Sequence, residues 1–242
     1  MSSTMVVWLF ALLIAGLLYA VNVLSRSDTL VFQNRGITLC YPADYDPEPG
    51  PVVSKTIGAV ESQLDVSQGE RLLYLPSSLF GEAISGYVET YTAMLNPAAG
   101  QEMMGILYPL EAPPTLHPFF QDAWHGIGDF KDPYVEEDEN GLYRIYLHPA
   151  LRGSKGDPWL MIESPPQRAS TPEPPKGWAV GYCSYIYGGP GTYDCKLTFN
   201  YKDRFQYRFR LHEQNMHLRN EVKSYLEMLF QKWEKNCSSD SV

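Results

Sequence analysis

The clearest pattern lies late in the chain. Phe205, Tyr207, Phe209 and Leu211 alternate with Gln206, Arg208, Arg210 and His212. That period of two predicts a strand with one buried and one wet face. Leu218, Val222, Leu226, Leu229, Phe230 and Trp233 then recur at helical spacing. Arg219, Glu221, Lys223, Glu227 and Lys232 fill much of the rest, so an amphipathic helix follows the strand. Upstream, two strand-like runs flank Gly188-Gly189-Pro190-Gly191, and Tyr201 to Arg204 reads as the next turn. Together these predict a three-stranded antiparallel meander with a helix packed on it, in an α+β fold of antiparallel sheets and helices.

Earlier elements are shorter. Thr29 to Gln33 and Ile37 to Tyr41 read as strands around Asn34-Arg35-Gly36. Phe80, Ile84, Tyr87, Val88, Tyr91 and Leu95 keep helical spacing and predict an amphipathic helix over Phe80 to Asn96. Asp138 to Gly141 reads as a turn between strands at Tyr134–Glu137 and Leu142–His148, and Trp159 to Glu163 as another strand. Residues 42 to 51 hold four prolines and form a loop. Pro165 to Gly177 holds five in thirteen residues and is a loop or linker, the best candidate boundary. The expected organisation is residues 1–25 as an anchor, 26–164 as the first part of the α+β region, 165–177 as the proline-rich loop and 178–242 as the meander and helix.

The anchor rests on a different pattern. Ser2 to Ser25 carry no charge, and Met5 to Leu24 are apolar except for Gly16, Tyr19 and Asn22. Twenty such residues at ~1.5 Å each span ~30 Å, the thickness of a bilayer core. A transmembrane helix is the expectation; a cleaved signal peptide is the alternative, although the usual basic start is missing. Arg26 and Arg35 follow the run and no Lys or Arg precedes it, which alone favours a cytoplasmic C-terminal side.

The four cysteines argue the other way. Centring the hairpin on Gly189 pairs residues whose numbers sum to 378, so Cys183 faces Cys195. Facing Cβ atoms on neighbouring strands approach disulfide distance. Two buried free thiols are the alternative; a zinc site would need closer Cys/His spacing. Cys40 and Cys237 would then tie the chain ends. Disulfides belong in oxidising compartments, which places the folded part outside the cytoplasm.

Charge and composition narrow the partners. Nineteen Lys and Arg against 28 Asp and Glu leave a formal charge of −9, which argues against a general nucleic-acid binder. Hydrophobic residues at 44% exclude disorder of the whole chain, and 17 Tyr with 5 Trp exceed what one core needs. No nucleophile elbow, metalloprotease helix or phosphate-cradling glycine loop occurs. His117, His125, His148, His212 and His217 are scattered and read as surface or capping residues. Asp122, Trp124, His125 and Asp129 form a small polar-aromatic group expected in a loop. No metal or cofactor is expected, and the acidic run lacks calcium-loop spacing. Glu136, Glu137, Asp138 and Glu139 are the densest charge run, either a solvated turn or an acidic finger projecting toward a basic protein partner.

The Tyr-rich strands and Trp-bearing helix of Gly177 to Asn236 resemble membrane-anchored periplasmic immunity proteins that neutralise interbacterial, type VI secretion-like toxins. The resemblance covers about a quarter of the chain. It implies a non-catalytic, toxin-blocking protein at the inner membrane, with its folded part in the periplasm. A structural or accessory component of an envelope or secretion assembly is the competing expectation, and an enzyme with an unrecognised site is a third.

Overall fold

The computed structural model describes residues 29–46, 69–89, 102–146, 158–166, 173–185 and 193–239. The fold is α+β. An eight-stranded sheet follows the order β3-β4-β10-β9-β8-β7-β6-β5, and a separate hairpin pairs β1 with β2. All pairings are antiparallel. The strands are β1 (Thr29–Asn34), β2 (Ile37–Pro42), β3 (Arg71–Pro76), β4 (Glu102–Pro109), β5 (Val135–Glu137), β6 (Tyr143–Tyr146), β7 (Trp159–Ile162), β8 (Ala179–Tyr185), β9 (Tyr193–Tyr201) and β10 (Phe205–His212). Among the described residues three α-helices accompany them: α1 (Ser77–Ala83), α2 (Pro118–His125) and α3 (Arg219–Ser239). The expected meander is β8-β9-β10, and it extends backwards through β5. The proline-rich loop joins β7 to β8, which pair in this one sheet.

The sheet has an inner and an outer face. On the inner face α3 lays Val222, Leu226, Leu229, Phe230 and Trp233 against the alternate residues of β9 and β10. Their spacing makes one apolar stripe on a 3.6-residue helix. Phe230 is the hub, with Phe199 at 5.3 Å and Trp233 at 4.8 Å between ring centroids. The β1–β2 hairpin closes the same face. Its turn residues Arg35 and Gly36 have φ of 47° and 83°, the positive values a two-residue hairpin turn requires. Phe32 packs on Phe205, and Asn34 Nδ2 donates to the carbonyls of Leu110 and Arg204. At Gly105 on β4 a Cβ would lie 2.4 Å from the Tyr207 ring, so only glycine admits that tyrosine.

Both disulfides form. Cys183 and Cys195 face each other on β8 and β9 in the expected register, with Cα atoms 4.0 Å apart. Cys40 on β2 joins Cys237 on α3 across 197 residues of sequence. A loop that long gives the larger chain-entropy gain, about 5 kcal/mol against about 3 kcal/mol for the short one.

The outer face is covered unevenly. Strand β4 is second from one edge and β5 forms the other edge, so the connection between them must cross the sheet. It carries α2, which sets Phe120, Ala123 and Trp124 over Ile145, Leu160, Ile162 and Trp178. This makes a second core over β6, β7 and β8. Among the described residues no helix covers the outer face of β4, β10 and β9.

Two expectations are corrected. The helix predicted over Phe80 to Asn96 occupies only Ser77–Ala83 and ends where Ile84 turns extended, at φ −120° and ψ 112°. Gly86 follows at φ 83°. The buried Asn215 side chain then captures the Val88 backbone, accepting from its N–H and donating to its carbonyl at 2.8 Å each. Residues 90 to 96 lie outside the described residues. The group Asp122, Trp124, His125 and Asp129 lies on and after helix α2 instead of in one loop, and it does not converge. The helix turns Trp124 into the second core and leaves His125 and Asp129 exposed. The anchor expected over residues 5 to 24 lies outside the described residues. No helix among the described ones is long and apolar enough to cross a membrane.

Candidate functional site

The acidic run sits at the β5–β6 turn, on the sheet edge, but its members part ways. Asp138 is buried at 6% exposure, so it is not the solvated finger residue that the sequence predicts. Arg144, three residues past the turn, folds back and ion-pairs with it, donating through Nε at 3.0 Å and through Nη2. Tyr193 Oη and Asn140 Nδ2 donate to its other oxygen at 2.8 and 3.0 Å. Burial alone pushes the Asp138 carboxyl up. The hydrogen bonds from Asn140, Arg144 and Tyr193, with the charge of Arg144, outweigh it and hold the carboxyl below its ordinary value. The Arg144 guanidinium also lies over the rings of Trp159 and Tyr193, at 5.1 and 4.9 Å.

Glu136 is half-buried and accepts from Tyr146 Oη at 2.6 Å. Burial, then this carboxylate, raises the tyrosine's pKa and keeps the hydroxyl a donor. Glu137 and Glu139 are exposed on either side of the buried Asp138. Glu213 is close enough that Glu139 adds to the upward shift that burial gives its carboxyl. The turn is therefore a fixed pedestal that shows two carboxylates to solvent.

Two of the described histidines cap helices. His117 Nδ1 caps α2 by accepting from Phe119 N–H at 3.3 Å. His212 Nδ1 accepts from Gln214 N–H at the end of β10. Among the described residues no three His, Cys, Asp or Glu side chains cluster as a metal site would need.

The half of the outer face that no described helix covers holds a second arrangement, a shallow groove of about 400 Å³. Met104 and Ile106 of β4 line its floor, with Tyr108, Lys196, Arg208, Arg210 and one carboxylate, Glu70, around them. Arg208 lies 4.5 Å from the Tyr108 ring centroid, and its Nε donates to Gln206 Oε1 at 2.6 Å. Gln206 in turn donates to Asn200 Oδ1 at 3.1 Å. Arg210 is the register partner of Lys196, so two cations face each other directly across β9 and β10. Directly opposed like charges destabilise a sheet. Asp194 pairs with Arg210 at 4.0 Å. Burial pushes that carboxyl up to about 6, and the attraction of Arg210 only partly offsets this. Burial, then Arg210, lowers the pKa of Lys196. Among the described residues Lys196 has no carboxylate at ion-pair distance.

The sequence reading takes Arg208 and Arg210 as ordinary residues of a wet face and does not single out Lys196. The missing signal is register. The turn at Tyr201 to Arg204 pairs residues whose numbers sum to 406, which sets 196 against 210. In comparisons with family models, with characterised proteins and with solved structures, nothing matches this chain.

Proposed function

We propose that this is a non-catalytic binding protein, anchored at the inner membrane with its folded part in the periplasm, and that it acts as an immunity protein by blocking a toxin. The observation that carries the binding reading is the pedestal at the β5–β6 turn. The hydrogen-bonded Asp138 holds the turn, and the exposed Glu137 and Glu139 stand on it. Carboxylates positioned before encounter need little ordering when a partner binds. A net charge of −9 adds a long-range field that speeds association with a basic surface. The compartment reading is supported by the two disulfides, which suit an oxidising environment.

Exported co-expression of the full chain with the product of the neighbouring gene tests the proposal. Growth should be protected, and Glu137→Lys with Glu139→Lys should slow association by about tenfold at low salt. Growth arrest that is the same with and without the chain would remove the immunity reading and leave an envelope component in front. An alkaline phosphatase fusion after Val242 should be active; an expressed but inactive fusion would reverse the orientation.

A further inference from the structure

The geometry points to the outer-face groove over β4, β10 and β9 as a docking site for an extended acidic segment of a partner protein, one with Asp or Glu at alternate positions. This surface is separate from the acidic turn and has the opposite charge. Arg208 and Arg210 are two residues apart on one strand, with Lys196 in register opposite Arg210. Side chains two apart on an extended chain repeat every ~7 Å on one side. A strand-like peptide lying along β10 therefore brings its alternate carboxylates over Arg208 and over the Lys196–Arg210 pair at matching intervals. Met104 and Ile106, themselves two apart and buried, form the apolar base on which these cations stand.

Three features favour a ligand over a merely solvated face. The opposed pair costs stability that Asp194, which reaches only Arg210 and at 4.0 Å, does not fully offset, and sheets rarely keep such conflicts without a use. Arg208 is oriented before binding by Gln206 and Tyr108. The cations are spread along the strand, so a single compact anion cannot meet all of them, whereas a repeating one can. Lys196, Arg208 and Arg210 outnumber Glu70 and the buried Asp194, so the groove is net positive on a chain of charge −9, which makes it selective for sign.

The test uses the full chain in neutral detergent and a labelled ten-residue peptide of alternating Glu and Val, followed by fluorescence anisotropy. The Glu peptide should bind, weaken with added salt, and lose about tenfold or more in affinity for Lys196→Ser or Arg210→Ser. A peptide with Gln in place of Glu should not bind. Thermal unfolding supplies the second readout. Lys196→Ser should raise the Tm, because it removes the opposed cation. A lowered Tm would give Lys196 a purely structural role and overturn the assignment. So would equal binding of the Gln peptide, or displacement of the Glu peptide by inorganic phosphate or anionic-lipid vesicles at lower concentrations of charge than a second acidic peptide needs. None of these results depends on a toxin, so this proposal and the immunity reading fail separately.

Discussion

Asp138 and Asp194 are both buried, at 6% and 8% exposure, yet their carboxyls shift in opposite directions. Burial raises both. At the β5–β6 turn three side chains donate to Asp138, and the hydrogen bonds win. At the edge of the groove Asp194 has only Arg210, at 4.0 Å, and burial wins. Depth is therefore not what separates a structural charge from an available one; the number of donors is. The turn with complete partners is rigid and holds up Glu137 and Glu139. The face with incomplete partners leaves Asp194 with one distant cation and, among the described residues, Lys196 with no carboxylate at ion-pair distance.

The largest effect should come from breaking the complete site. Asp138→Asn leaves the Arg144 guanidinium, 15% exposed, without its counter-charge. A loss of about 3–5 kcal/mol in urea unfolding is expected. A loss under 1 kcal/mol would put the turn's rigidity elsewhere.

The incomplete site should respond with the opposite sign. The folded pKa of Asp194 is raised from 3.8 to about 6. Its contribution favours folding below pH ~4, is lost as pH rises toward 6, and stays lost above that, by about 2–3 kcal/mol. Asp194→Asn should therefore stabilise the protein at pH 7 and change little at pH 4. Asp138, with a lowered pKa, contributes stability above the ordinary carboxylate range and loses it as pH falls below. The stability difference between each variant and the parent, followed from pH 3 to 7, should slope in opposite senses. Parallel slopes would mean that the two buried carboxylates do not differ in how their partners hold them.

The smallest effect belongs to the exposed pair on the pedestal. Glu137→Lys with Glu139→Lys should move stability by no more than about 0.5 kcal/mol, while association with a basic partner slows. Calorimetry checks the first and stopped-flow mixing the second. A large stability loss would mean that these carboxylates hold the turn instead of being displayed by it.

Local patterns determined much of this protein by themselves. Period-two alternation placed β10, the 3.6-residue stripe placed α3, and glycine- and asparagine-bearing turns placed the hairpins at Arg35-Gly36 and at Asp138 to Gly141. Register arithmetic paired Cys183 with Cys195, because antiparallel pairing about a known turn is a fixed sum. These features were legible because each depends on neighbours close in sequence. What only the tertiary structure decided came from residues far apart. Asn215 reaches Val88 and ends a helix that periodicity would have continued, since helical spacing cannot register a competing hydrogen bond 127 residues away. Tyr193 helps draw Asp138 inward from a run that reads as solvated, 55 residues distant. The place of β4 beside β10 sends α2 across one half of the outer face and leaves Lys196, Arg208 and Arg210 on the other half without a covering helix among the described residues. A polar residue on a strand reads the same in sequence whether a helix, a carboxylate or water lies above it. Strand order, a long-range property, made that choice.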